Sequence, residues 1–77
     1  MTIREDFARN LRKLRHARGL SQEALAYEAG IDRTYISALE RGVYSATIDM
    51  VAKIAAVLEV DPAILLQKPI RSSRRKA

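Results

Sequence analysis

Asp32, Arg33 and Thr34 stand in a row in a chain of 77 residues, and their order is what gives them chemistry. An aspartate placed just before an apolar-periodic segment is a helix N-cap, so Arg33 and Thr34 fall in the first turn of the helix it opens. From such a turn a guanidinium can donate two hydrogen bonds to O6 and N7 of a guanine, and a threonine methyl suits the methyl of a thymine. Ser37, one turn on, and Ala38 are further candidates for the same edge. Catalysis has far less to work with. The chain has no cysteine and one histidine, His16, which excludes a thiol nucleophile, a disulfide framework and a zinc cluster. There is no G-x-x-x-x-G-K phosphate loop, and the adjacent carboxylates Glu5 and Asp6 sit at a helix start, where they complement the dipole. The residues imply recognition by a non-enzyme, with no metal, no cofactor and no small-molecule ligand.

Helices must position these groups. Ile3, Phe7, Leu11 and Leu14 recur at intervals of four and three with Arg4, Arg12, Lys13 and Arg15 between them, the pattern of one amphipathic helix. Thr2 and Glu5 form a T-x-x-E capping box at its start, and Gly19 supplies its stop. Ser21, Asp32 and Asp61 each lie between an apolar residue and another four positions into a helix, which adds a hydrophobic staple to the cap. Pro62 follows Asp61 as a first-turn proline, and Thr47 caps the remaining segment, whose inward face reads Ile48, Val51, Ala52, Ile54, Ala55 and Leu58. Five short helices are expected, near residues 3–18, 21–28, 32–41, 47–58 and 61–67: an all-α, five-helix bundle.

The second and third helices are separated only by Ala29, Gly30 and Ile31, too short a link for antiparallel neighbours, so they cross steeply. A crossing of that kind needs a small facing residue, which Ala26 provides, and a turn residue tolerant of positive φ, which Gly30 provides. Leu25, Ala29, Ile31, Ile36 and Leu39 then point at a common core. Residues 22–41 therefore read as a helix-turn-helix whose second helix enters a major groove by its first turn.

The stretch Arg18 to Ala26 (RGLSQEALA) with Gly30, the stretch Tyr35 to Gly42 (YISALERG), and Ile54-Ala55, Leu58 and Asp61 resemble the phage-repressor-like (XRE) helix-turn-helix family of DNA-binding transcription regulators. The resemblance covers residues 5–66 and implies a lambda-repressor-like fold. Within the family, Arg33 to Ser37 with Glu40-Arg41-Gly42 looks most similar to the controller proteins of restriction-modification systems. The likeness implies that Gln22 holds a phosphate and that Arg41, Tyr44, Ser45 and Thr47 face the DNA backbone, contacts that set register without choosing sequence. Tyr35 either packs on sugar and phosphate or covers the domain surface. The likeness also implies that Glu40, a carboxylate that would otherwise repel phosphate, pairs internally with Arg15. Where many relatives have a basic pair after the glycine this chain has Val43-Tyr44, and Ala46 stands for a common proline, which implies a weaker grip on DNA.

Charge and surface complete the expectation. Of the net charge of +5, all is carried by residues 68–77, where Lys68, Arg71, Arg74, Arg75 and Lys76 meet no acid; residues 1–67 are expected to form the domain and 68–77 a disordered basic tail. Ile64, Leu65 and Leu66 are consecutive, and one helix cannot turn all three inward. With Leu58, Val60 and Pro62 at its edge, that surplus implies a homodimer interface, giving two reading helices on a near-palindromic operator. The alternative is an antitoxin that binds DNA and also neutralises a protein partner. No apolar run suits a membrane span, and Arg4, Glu5 and Asp6 interrupt any signal peptide, so the expected location is cytoplasmic.

Overall fold

Each expected N-cap closes its helix with its own side chain. In the computed structural model, which describes residues 2–68, Thr2 and Glu5 form the reciprocal capping box of α1 (Ile3–Ala17). Ser21 Oγ accepts from the Ala24 amide to open α2 (Gln22–Ala29). Asp32 accepts from the Thr34 amide to open α3 (Arg33–Glu40). Thr47 accepts from the Met50 amide at α4 (Ile48–Leu58), and Asp61 from the Ala63 amide at α5 (Pro62–Leu66). Each such side chain satisfies one of the four amides that a helix start leaves unpaired. The expected basic tail lies outside the described residues, apart from the exposed Lys68.

The helices enclose one core of Phe7, Leu11, Leu25, Ala26, Ile36, Leu39, Val51, Ile54, Ala55, Leu58 and Leu65. α1 packs on α3 and α5, α2 on α3 and α4, and α4 on α5. The arrangement is all-α, and no described helix is long and apolar enough to cross a membrane. Three residues placed inward by spacing face solvent instead. Ile3 is 63% and Ile48 87% exposed, because helical side chains point back toward the N-terminus and those of a first turn project past the end of the packed body. Ala52, also exposed, lies about 100° round the helix from Val51 and so beyond the buried stripe.

Candidate nucleic-acid interface

The turn between α2 and α3 is built by Gly30, whose φ of 72° is left-handed. Its amide donates to the Tyr27 carbonyl at 3.2 Å, and the next amide, Ile31, reaches back to Ala26 at 2.9 Å, so the last carbonyls of α2 are satisfied as the chain reverses. Ala26 is buried at the crossing beside Leu25, and Ile36 and Leu39 bury the inner face of α3 completely. The outer face of α3 is fixed by that same packing.

Arg33 and Thr34 are both exposed at the opening of α3. Asp32 Oδ1 accepts from the Thr34 amide at 2.9 Å and from the Thr34 hydroxyl. The hydroxyl, then the amide, hold the Asp32 carboxyl below its usual range, so the helix opens on an ionised aspartate. Tyr35 is half-buried; its hydroxyl donates to the Ser45 carbonyl at 3.4 Å and its ring leans on Tyr44 with centroids 5.9 Å apart. Ser37 is half-buried. Ala38 is a correction: expected on the reading edge, it lies one turn beyond Thr34 on the same face and lines the same concavity, but it is only 5% exposed, because the chain after α3 folds back over it and the Val43 amide bonds the Ala38 carbonyl at 3.0 Å.

Behind this face Arg15 and Glu40 are paired. Arg15 Nε lies 2.5 Å from Glu40 Oε2 and Nη2 2.9 Å from Oε1, with side chains 9% and 3% exposed, while Nη1 donates to the Leu20 carbonyl at 2.8 Å. One guanidinium thus joins α1, the α1–α2 link and α3. Burial pushes the Glu40 carboxyl up, but hydrogen bonds from Arg15 and Gln22 and the charges of Arg15 and Arg12 outweigh it and hold the group below its usual range. The bond to Glu40 holds the Arg15 guanidinium above its own ordinary value. Gln22, expected to hold phosphate, spends one amide hydrogen on Glu40 Oε1 at 3.1 Å, and Arg12 donates to the Glu40 carbonyl at 3.1 Å. Glu40 is therefore neutralised inside the fold and presents no free carboxylate outward.

The loop from α3 to α4 is pinned from two sides. Arg4 Nε donates to Ser45 Oγ at 3.1 Å from α1, and Tyr35 holds the Ser45 carbonyl from α3. Arg41 and Tyr44 are exposed beside Thr34 and Tyr35 around one shallow concavity, so these four residues share a surface, with Ser45 and Thr47 exposed further along the loop. The six residues expected at a dimer interface do not stay together. Leu58 and Leu65 are 1% and 0% exposed and belong to the protomer's own core, because Leu65, the middle residue of its triplet, is the one α5 turns inward. Ile64 and Leu66 flank it at 38% and 41% exposure, with Pro62 exposed and Val60 half-buried.

Residues 11–65 match the helix-turn-helix family. The chain belongs to that family of DNA-binding transcription regulators. Among its relatives, a hypothetical transcription factor of Neisseria meningitidis serogroup B is 42% identical over 67 residues, 87% of this chain and 63% of its own length. Control protein C.BamHI of Bacillus amyloliquefaciens is 42% identical over 65 residues, 83% of this chain and 80% of the relative. The fold is similar to that of the restriction-modification controller protein C.Esp1396I, solved as a tetramer with its natural 35 base-pair operator: TM-score 0.77 at 34% identity, covering 84% of this chain and 86% of that one. The family match of this helix-turn-helix chain takes in every residue of the buried core except Phe7.

Four polar contacts that brace the bundle left little or no trace in the sequence reading. Asn10 is buried and its amide donates to the Leu65 and Gln67 carbonyls at 2.9 and 2.7 Å, closing the end of α5. Its signal was available, since Asn10 sits three residues after Phe7 and four before Leu14, inside the apolar stripe. The Gln22 to Glu40 and Arg4 to Ser45 bonds, across 18 and 41 residues, leave no local pattern.

Proposed function

We propose that the chain is a homodimer that binds a near-palindromic operator sequence-specifically, and that it controls a restriction-modification operon in the cytoplasm. Arg33 and Thr34 read bases, Ser37 contributes one turn on, and Gln22, Tyr35, Arg41, Tyr44, Ser45 and Thr47 meet the sugar-phosphate backbone. The observation that carries this reading is the exposure of Arg33 and Thr34 at the opening of a helix whose inner face is wholly buried, so that the first turn is offered to a duplex by a rigid body. The controller proteins among the relatives support the choice of operon. Ala38, 5% exposed, offers a base little surface, Leu58 and Leu65 are spent on the core, and the self-association surface reduces to Ile64, Leu66, Pro62 and the edge of Val60.

Selection of bound duplexes from a random pool tests the reading, since it gives base preference, symmetry and spacing together. Two half-sites about 10 base pairs apart are expected. Arg33→Ala should lose guanine preference at one position per half-site, at a cost of about 1–3 kcal/mol, with other positions unchanged. A wild-type chain that enriches no motif would refute it.

A further inference from the structure

We infer that Asp32 determines specificity through Thr34, fixing the direction of its hydroxyl so that the side chain rejects guanine. The inference rests on the reading of Arg33 and Thr34 as base-facing residues. A threonine hydroxyl is ordinarily ambidextrous, donating or accepting as the base edge requires, and so discriminates poorly. Here its oxygen is hydrogen-bonded to Asp32 Oδ1, which also takes the Thr34 amide at 2.9 Å. An ionised carboxylate only accepts, so the one proton on Thr34 Oγ1 must point at Asp32.

The remaining surface of Thr34 is then a methyl group and oxygen lone pairs. Guanine offers O6 and N7 to the major groove, both acceptors, and meets lone pairs with lone pairs. Thymine meets the methyl, and the amino groups of adenine and cytosine can donate to the oxygen. The cap and the reader are one device: Asp32, two residues from Thr34 and itself exposed, turns an ambiguous side chain into one that excludes a single base. Arg33, beside it, selects guanine, so adjacent residues impose opposite demands on neighbouring base pairs.

The test is the same random-pool selection with wild type, Asp32→Asn, Asp32→Gly and the double variant Asp32→Gly with Thr34→Val, each checked for helicity by circular dichroism. Asparagine keeps the capping oxygen without the charge, and glycine caps a helix at little cost in stability without any acceptor. Wild type and Asp32→Asn should both exclude guanine about tenfold at one position per half-site. Asp32→Gly should admit guanine there, and the double variant, with no hydroxyl to swing outward, should exclude it again. Guanine excluded by Asp32→Gly, or admitted equally by the double variant, overturns the inference while the base-reading role of α3 stands. Asp32→Asn behaving like Asp32→Gly also overturns it, since charge alone would then be acting. A wild-type chain that enriches no motif removes the underlying reading as well.

Discussion

At the scale of single residues, the weightiest interaction lies behind the surface proposed to face DNA. Arg15 and Glu40 are buried and doubly hydrogen-bonded, so removing one leaves the other charge without a partner in a poorly solvated site. Arg15→Ala should cost about 3–5 kcal/mol, a large share of the stability of a small domain, and thermal unfolding would show it as a drop of tens of degrees. Replacing both members by apolar residues, as in Arg15→Met with Glu40→Leu, should recover much of that loss, because no orphan charge remains; a double variant as unstable as the single one would mean that the bonds to Leu20 and Gln22 carry the energy. The pair also sets an acid limit. Glu40 titrates in the folded protein below its unfolded value of 4.5, so its contribution is complete above that pH and is lost as pH falls through the folded value. Denaturant midpoints should fall more steeply below pH 4.5 in wild type than in Glu40→Gln, which starts lower and has no carboxyl to protonate; parallel curves would contradict the assignment. The pairing was implied by family resemblance, yet Gln22 as a third partner was not, because its amide was assigned to phosphate when a buried carboxylate lay closer.

Helix ends and turns were legible in the sequence because their causes are local. Thr2, Ser21, Asp32, Thr47 and Asp61 cap through bonds spanning two or three residues, and no distant packing is needed to foresee them. The errors fall where tertiary geometry decides: Ile3 and Ile48 follow a helical period but reach past the packed body, Ala52 lies beyond the buried stripe of α4, and Ala38 is covered by the loop that follows α3. One backbone feature went unread. Glu59 ends α4 in the left-handed region with φ 60°, where Gly30 occupies the equivalent place in α2 with φ 72°. A side chain in that region costs about 1–2 kcal/mol, and the exposed ion pair of Glu59 with Arg18 returns at most about 1 kcal/mol. Glu59→Gly should therefore raise the melting temperature by a few degrees. Gly30→Ala should lower it, and by torsion alone, since an added Cβ there meets no atom within 4 Å. Equal signs for the two substitutions would remove backbone conformation as the cause.

For the whole molecule, the exposed remnants of the expected interface are the surface left to the proposed self-association. Ile64 and Leu66 lie on either side of α5, so substituting either one by aspartate should leave the helical content intact. In sedimentation at micromolar concentration each variant should shift a dimer to the 8.7 kDa species, while a wild-type chain sedimenting at that mass would dismiss the dimer. Charge is divided just as unevenly. Residues 1–67 are formally neutral, and the surplus of five cations lies at 68–77, whereas the proposed reading face offers Arg33 and Arg41 with Asp32 between the helices. Binding to phosphate releases counterions in proportion to the phosphates neutralised, with a slope of about −0.9 per contact in log K against log salt. Truncation after Gln67 removes the five surplus cations; on the proposal that they only attract phosphate, affinity should fall by the same factor for operator and random duplex, and the salt slope should become shallower by up to about 4.5 per protomer. The selected motif should not change, because α3 is aimed by Ile36 and Leu39, which are buried in the core that the five helices enclose. A truncated chain with an altered motif would place base recognition in residues 68–77, and with it would fall the division between a neutral domain that reads sequence and a basic end that supplies attraction.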